Sequence, residues 1–266
     1  MEAISSPRIK PAAVAGMFYP AEARQLQADL DRYLAAAPVL DCQPRALILP
    51  HAGYVYSAPV AASGYRQLQN LTAKIRRVIL LGPAHRVGFR GIAAHSAEAF
   101  RTPLGDVPLD RPLIDQLLQL PFVHGLDAAF AQEHCLEVQL PFLQRLLPPF
   151  QLTPLLVGQA DYLQVTELLE PLADDPECLI LISSDLSHYH SYAEAQRLDQ
   201  QASEAILQLQ PEALAQDQAC GRIPVAGLLV LARRRGWRPL LLDLRNSGDT
   251  AGPRDQVVGY GAYAFV

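Results

Sequence analysis

The sequence predicts a three-layer α/β/α fold with a mixed, mostly parallel central sheet. Short apolar segments that suit buried strands alternate with longer segments that carry apolar residues at helical spacing. No Gly/Ser-rich or charged linker divides the 266 residues, and the 22 prolines are scattered between the elements. Because half of the residues are hydrophobic, the chain can bury a large core, and we expect a single domain over 1–266.

The helices are predicted from leucine and alanine positions three or four residues apart. In chain order we predict helices over 21–37, from Pro59 onwards, and over 111–120, 133–147, 162–173, 192–209 and 225–232. Pro38 ends the first helix, and Asp110 is the expected N-cap of the third. Pro141 either kinks the helix over 133–147 or marks its real start. The basic residues 233–235 should end the last helix, where they favour the negative end of its dipole.

The strands are predicted from short apolar runs without alternation, which indicate strands buried on both faces. In chain order these strands cover 46–49, 78–81, 91–96, 152–157, 178–183, 240–244 and 257–266. A Pro/Gly loop is expected over 102–110, and a second loop, NSGDTAGPRD, separates the last two strands.

Charge and composition exclude several classes of protein. The formal charge of −5 argues against a nucleic-acid partner, because proteins that bind nucleic acids present basic surfaces. No run of about 18 apolar residues and no signal-like apolar segment occurs, so we expect no membrane partner and a cytoplasmic location. The four cysteines include no C-x-x-C pair, which disfavours a zinc ribbon, and a disulfide framework is unexpected in a chain of this size.

Three stretches repeat one design, in which an apolar strand ends in a turn that carries a histidine. They are RALILPHAGY with His51, RVILLGPAHR with His85, and CLILISSDLSHYH with Asp185 and His188. Ligands of open α/β sheets bind outside the carboxyl ends of the strands. If the three strands are parallel, the histidines converge at one edge of the sheet, and we expect a metal site there.

Other constellations remain open or are disfavoured. Ser, Asp and His occur together in SSDLSH, but the G-x-S-x-G elbow of many serine hydrolases is absent, as are the P-loop and dinucleotide fingerprints. His134 and Glu137 share a face of the predicted helix and could serve metal or proton chemistry, or form a solvated pair. Asp249 is either a residue of the cleft rim or a turn-forming aspartate.

An ordered set of motifs resembles one known family over almost the whole chain. In order, the motifs are AVAGMFYPA, LPHAGYVYSAPVAA, LGPAHRVGFRG, TPLGDVPLD, EHCLEVQLPFLQ, PLLVG, SSDLSHY, ACGRIP and SGDTAGP followed by VVGYGAYAF. They are similar to the Memo family, whose bacterial and archaeal members are called AmmeMemoRadiSam system protein B. This family is similar in fold to the class III extradiol dioxygenases, which are non-haem iron enzymes.

The resemblance implies a set of site residues. The metal positions would be His51, His85 and Cys220, and His188 would be the base. Asp185 could hold the His188 imidazole, and His134 is a further catalytic candidate. The dioxygenases use two histidines and a carboxylate, whereas the third position here is a thiolate, so ring cleavage is not simply inherited.

The implied function is that of a metal-dependent oxidoreductase, similar to the dioxygenases, that acts on a small phenolic substrate. One transition metal ion is expected, Fe(II) in the first place, with copper or zinc as alternatives. AMMECR1-like and radical-SAM proteins are the implied protein partners. The alternative is a non-catalytic, peptide-binding signalling adaptor on the same fold, and the roles of Glu137 and Asp249 stay open.

Overall fold

A mixed sheet of nine strands forms the centre of the structure, a computed structural model that describes residues 8–266. Its strands and those of a small second sheet are β1 (Ile9–Lys10), β2 (Ala46–Leu49), β3 (Arg77–Pro83), β4 (Ile92–Ala94), β5 (Ala99–Thr102), β6 (Gly105–Pro108), β7 (Val123–Gly125), β8 (Gln151–Val157), β9 (Cys178–Ser183), β10 (His188–His190), β11 (Pro239–Asn246) and β12 (Val257–Phe265). The helices of the described part are α1 (Ala23–Ala36), α2 (Tyr54–Tyr65), α3 (Arg111–Leu117), α4 (Leu140–Leu146), α5 (Tyr162–Leu169), α6 (Tyr192–Leu207), α7 (Arg222–Arg235) and α8 (Ser247–Thr250).

The strand order of the large sheet is β10-β12-β2-β9-β3-β8-β4-β7, with β11 paired to β12. The four strands β2, β9, β3 and β8 are parallel to one another, while β12 joins β2 and β4 joins β8 in antiparallel pairs. All four residues of β2 are buried, as a strand covered on both faces requires. The predicted mixed sheet is confirmed, and its parallel part is the centre.

Helices cover both faces of the sheet and complete a three-layer, single-domain α/β fold, as predicted. Helix α2 packs on β2, β11 and β12 and contacts α1 and α4, whereas α7 packs on β3, β9 and α5. Helix α6 packs on β11 and β12. The longest helix of residues 8–266 has 16 residues, and none of the helices there is both long and apolar enough to cross a bilayer.

The segment predicted as one helix over 133–147 differs in the structure. A 3-10 turn covers Glu137–Gln139, and the α-helix starts only at Leu140, with Pro141 in its first turn. The side chain of Glu133 accepts hydrogen bonds from the backbone N–H groups of His134 and Cys135, which holds these residues in a non-helical turn. Of the two roles considered for Pro141, the start of the helix is the correct one.

Two further predictions about local structure are wrong. The helix expected to open at Pro59 begins at Tyr54, because the N–H of Tyr54 donates to Phe18 O and the Ser57 hydroxyl to Ala52 O, which fixes an earlier first turn. The expected loop over 102–110 contains most of the β5–β6 hairpin, whose strands are joined by an ion pair between Arg101 and Asp106. The Asp110 N-cap and the arginines that end α7 are as predicted, whereas α3 and α5 end three and four residues early and α7 begins three residues earlier than expected.

Candidate metal centre

Three histidines meet at the carboxyl ends of the parallel strands. His51 follows β2, His85 follows β3, and His134 lies in the turn before α4. One ring nitrogen of each can be chosen so that all three atoms lie within 4.8 Å of one another. The ring centroids are 5.2 Å apart for His51 and His85, 5.3 Å for His51 and His134, and 4.8 Å for His85 and His134. The strands β2, β9 and β3 are neighbours, which explains this convergence.

The hydrogen bonds around His51 determine which of its nitrogens is free. Its Nδ1 lies 2.9 Å from Ser183 Oγ. That hydroxyl donates its one hydrogen to Cys135 O at 2.6 Å and accepts from Gln139 Nε2 at 2.8 Å. Nδ1 of His51 must therefore be the donor, which leaves the lone pair of Nε2 directed at the cluster. Burial, reinforced by His85 and His134, lowers the pKa of His51 well below its ordinary value, so the ring is neutral.

Glu133 orients His85. Its Oε1 lies 2.9 Å from His85 Nδ1, and its Oε2 accepts from the backbone N–H of His85 at 2.7 Å. A carboxylate at Nδ1 selects the neutral tautomer in which Nδ1 is the donor and the lone pair lies on Nε2, the arrangement that metal-ligating histidines use. Glu133 is 3% exposed. Burial alone would raise its pKa, but the hydrogen bonds from His134 and His85 outweigh burial and lower the pKa well below the ordinary value.

His134 and Cys135 complete the group of donors. The His134 ring packs against Phe18 at 4.6 Å between centroids, and its buried Nδ1 lies 3.2 Å from Glu133 Oε1. Cys135 is fully buried, and its Sγ lies within 4.8 Å of donor atoms of His85 and Glu133. Imidazole and thiolate donors suit iron, copper and zinc. His51, His85, His134 and Cys135 thus form a candidate metal-binding site.

Cys220 lies at the edge of this cluster, in the turn before α7. Its Sγ is 3.3 Å from His51 Nε2 and accepts the backbone N–H of Asp185 at 3.3 Å. Burial, and then the charge of Asp185, raise the pKa of Cys220 to about 12, so the thiol is protonated near neutral pH. The structure brings Cys220 to one of the three histidines, and its ligand role stays a prediction.

A cleft of about 640 Å³ opens onto the cluster. His188 lines this cleft together with the three histidines, and the aromatic side chains of Phe18, Tyr56, Tyr189 and Tyr260 form much of its wall. Such a space suits a small-molecule ligand. Asp185 also lines the cleft, but its Oδ1 accepts the backbone N–H of His51 at 2.7 Å. The expected contact between Asp185 and the His188 imidazole is absent from the hydrogen bonds of the described residues.

Glu137 faces away from the metal cluster, contrary to the expectation that it shares a helix face with His134. Its carboxylate is 3% exposed and binds the segment 10–19, which we call the N-terminal strap. It accepts hydrogen bonds from Lys10 Nζ at 3.2 Å, from the backbone N–H groups of residues 13 and 14 at 2.7 and 2.9 Å, and from Tyr19 Oη at 2.7 Å. Glu137 thereby holds the strap that carries Phe18 into the cleft wall.

Asp249 has the turn-forming role. It forms a capping box with Asn246 at the start of α8 and accepts the Tyr192 hydroxyl at 2.5 Å. Sequence reasoning missed Glu133, Cys135 and Ser183 as parts of the site. The only available signal for two of them was their position beside His134 in EHC, because their roles depend on hydrogen bonds that the fold creates.

Comparisons with known proteins agree with this architecture. Residues 10–264 match the family model described as "Memo-like protein". A MEMO1 family protein of Aquifex aeolicus is 34% identical over 97% of this chain and 100% of its own length. One from Methanosarcina mazei is 32% identical over 94% of this chain and 96% of its own length. A third, from Saccharolobus solfataricus, is 36% identical over 82% of this chain and 81% of its own length.

A solved structure shares the fold at low sequence identity. It is the uncharacterized protein JW3007 from Escherichia coli K12, with a TM-score of 0.56 and 11% identity over 84% of this chain and 100% of that one. At this identity the likeness concerns the fold alone. The family match and the relatives above, which both extend over most of the sequence, show that the chain belongs to the Memo family.

Proposed function

We propose that this protein is a metal-dependent oxidoreductase, similar to the dioxygenases, which binds one Fe(II) ion at the histidine cluster and acts on a small phenolic substrate in the cytoplasm. The observation that carries the proposal is the cluster itself, in which two imidazoles have hydrogen-bond partners that leave Nε2 free, beside an open cleft. His51 and His85 are the ligands common to the geometric cluster and to the family resemblance. The third ligand is Cys220 or His134.

The residues of the chain have separate roles in this proposal. A ferrous ion would supply a Lewis-acidic, redox-active centre to a bound substrate. Phe18 and Tyr260 would hold an aromatic ring by stacking, since both line the cleft. His188 would accept the proton of the substrate hydroxyl, because it lines the cleft and an imidazole can act as a general base.

The first experiment is anaerobic purification with metal analysis of the wild type and of His51→Ala, His134→Ala and Cys220→Ser. His51→Ala should lose the ion. One of the other two variants, His134→Ala or Cys220→Ser, should also lose it, and that variant identifies the third ligand. Retention of full metal content in His51→Ala would overturn the site. Recovery of one copper or zinc ion per chain in place of iron would support the location of the site but refute Fe(II) as its metal.

The second experiment measures O₂ uptake of the Fe(II)-loaded protein against a panel of phenols and catechols. We expect uptake with at least one ring compound, and His188→Ala should keep the metal but lose about 10²- to 10⁴-fold in turnover. The matched control is His124→Ala, which removes an exposed histidine outside the cleft. Loss of metal in His188→Ala would make His188 a ligand, and full activity would eliminate it as the base.

A peptide-binding adaptor is the second candidate function, and the rim of the cleft favours it. Tyr56 and Tyr189, which line the cleft, are 38% and 72% exposed, and Met17 and Val55, next to lining residues, are 72% and 58% exposed. Exposed apolar residues that cluster around a groove mark interaction sites. Absence of O₂ uptake across the panel, combined with saturable binding of tyrosine-phosphorylated peptides that Tyr189→Ser abolishes, would favour the adaptor.

A further inference from the structure

A buried carboxylate on α6, Asp199, lies behind the cleft and takes no part in the metal cluster. It is 3% exposed, and its Oδ1 accepts the backbone N–H of Ser187 at 2.9 Å. Ser187 is the residue immediately before His188. We infer that Asp199 is a positioning residue, whose carboxylate fixes the backbone that presents His188 to the cleft. The inference rests on the proposed function only for the role of His188, and its test needs no turnover.

The backbone before His188 has one N–H group that the sheet does not satisfy. Leu186 N–H donates to Gly259 O at 2.8 Å, and Gly259 N–H donates to Ser187 O at 2.8 Å. The N–H of Ser187 therefore needs a different acceptor, since buried backbone donors are almost always paired. Asp199 supplies it from the neighbouring helix. This contact ties the segment of His188 to α6 as well as to β12.

Gly259 shows how closely the carboxylate approaches the sheet. A Cβ atom built at Gly259 would lie 2.1 Å from Asp199 Oδ2 and 2.3 Å from its Cγ. No side chain fits between the strand and this carboxylate without displacing it. The glycine of β12 and the aspartate of α6 therefore fit each other, and together they determine the position of the Asp199 carboxylate.

The segment that Asp199 holds is strained. Tyr189, directly after His188, has φ of +60°, and the pairing of β10 with β12 shifts register between His188 and His190. A left-handed conformation at a non-glycine residue persists only where the surroundings impose it. Two anchors impose it here, the pairing with β12 on one side and the Asp199 carboxylate on the other. Loss of the second anchor should allow Tyr189 and His188 to relax.

The ionisation of Asp199 provides a specific signature. Burial raises its pKa to about 6, against the opposing hydrogen bond from Ser187 and the charge of His190. The titratable or charged groups that face it are His190 from β10 and Tyr263 from β12, together with Arg245 from β11 and Asp249 from α8, which line a small cavity with Asp199. The amide shift of Ser187 should therefore show an inflection near pH 6.

The test compares Asp199→Ala and Asp199→Asn with Glu204→Gln, an exposed acidic residue on the same helix. In Asp199→Ala, amide exchange at Ser187 should be at least about tenfold faster, and acylation of His188 by diethyl pyrocarbonate should change at least about threefold, with unchanged Zn(II) affinity. Asp199→Asn keeps an acceptor, so it should restore slow exchange but lose the inflection near pH 6. Glu204→Gln should behave like the wild type.

The inference is overturned if Ser187 exchange and His188 acylation in Asp199→Ala match the wild type. It is also overturned if Zn(II) affinity falls in parallel, because the carboxylate would then support the whole site. Gly259→Ala provides the second perturbation and decides the question if Asp199→Ala does not fold. It should accelerate Ser187 exchange by itself, and normal exchange in Gly259→Ala would contradict the proposed contact.

Discussion

The substitution Glu133→Gln tests the candidate metal centre through a single charge. The carboxylate accepts from three backbone N–H groups, those of His85, His134 and Cys135, and interacts with Nδ1 of His85. An amide has one oxygen, and its NH₂ group is a donor. In either orientation the glutamine places a donor against a donor, so at least one buried N–H group loses its acceptor.

The size of the effect follows from these contacts. A buried donor without an acceptor costs about 1–3 kcal/mol of unfolding free energy. The charged hydrogen bond that orients the His85 ring is also lost, and removal of such a partner typically lowers metal affinity about 10- to 100-fold. We expect both losses in the same variant, because the same carboxylate sets the turn and orients the ring.

The assay is competition of Zn(II) between the protein and a chromophoric chelator, paired with urea unfolding of the metal-free protein. The control is Glu170→Gln, which changes an exposed carboxylate that pairs with Arg234 at the surface. Lower stability with unchanged zinc affinity would show that Glu133 serves the turn alone. If neither quantity changes, the hydrogen bonds described for Glu133 do not exist in solution.

Three further predictions concern other buried groups. If Cys220 is a ligand, metal binding near neutral pH should release one proton that Cys220→Ser does not release, because burial raises the thiol pKa to about 12; buffer-dependent calorimetric enthalpies measure this proton. Glu137→Gln should destabilise the protein by about 3–5 kcal/mol and expose the N-terminal strap to proteolysis, since Lys10 is left buried without its ion-pair partner. In the folded protein burial raises the Asp199 pKa from 3.8 to about 6, so the unfolded chain loses this proton first as the pH rises. Wild-type stability should therefore fall by up to about 3 kcal/mol between about pH 3 and pH 7 relative to Asp199→Asn, which paired urea titrations would detect.

The central part of the fold could be predicted because its signals are local. A strand that is buried on both faces is an uninterrupted apolar run, and a Pro or Gly turn marks its end, as in β2 and β3. That reasoning placed His51 and His85 at the same edge of the sheet. The β5–β6 hairpin was missed because the cross-strand pair of Arg101 and Asp106 has no signature at the level of single residues.

The site was predicted less completely, for a physical reason. The spacing of His134 and Glu137 implies a shared face only if the backbone between them is helical. Glu133 accepts hydrogen bonds from that backbone and holds it in a turn, so the spacing argument fails at this point. Ser183 was missed for a related reason. Its effect on His51 depends on two further hydrogen bonds, which come from residues distant in sequence.

One short segment links the metal cluster to the wall of the cleft. Glu133 and Glu137 are four residues apart and bind opposite partners, the first the His85 imidazole and the second the N-terminal strap. Between them, His134 contacts Phe18 of that strap. Because the strap is held by Glu137 and touches His134, its release should disturb a ring of the metal cluster as well as the cleft wall. Release of the strap should therefore weaken metal binding. The effects of strap release and of metal removal on the free energy of unfolding should be non-additive.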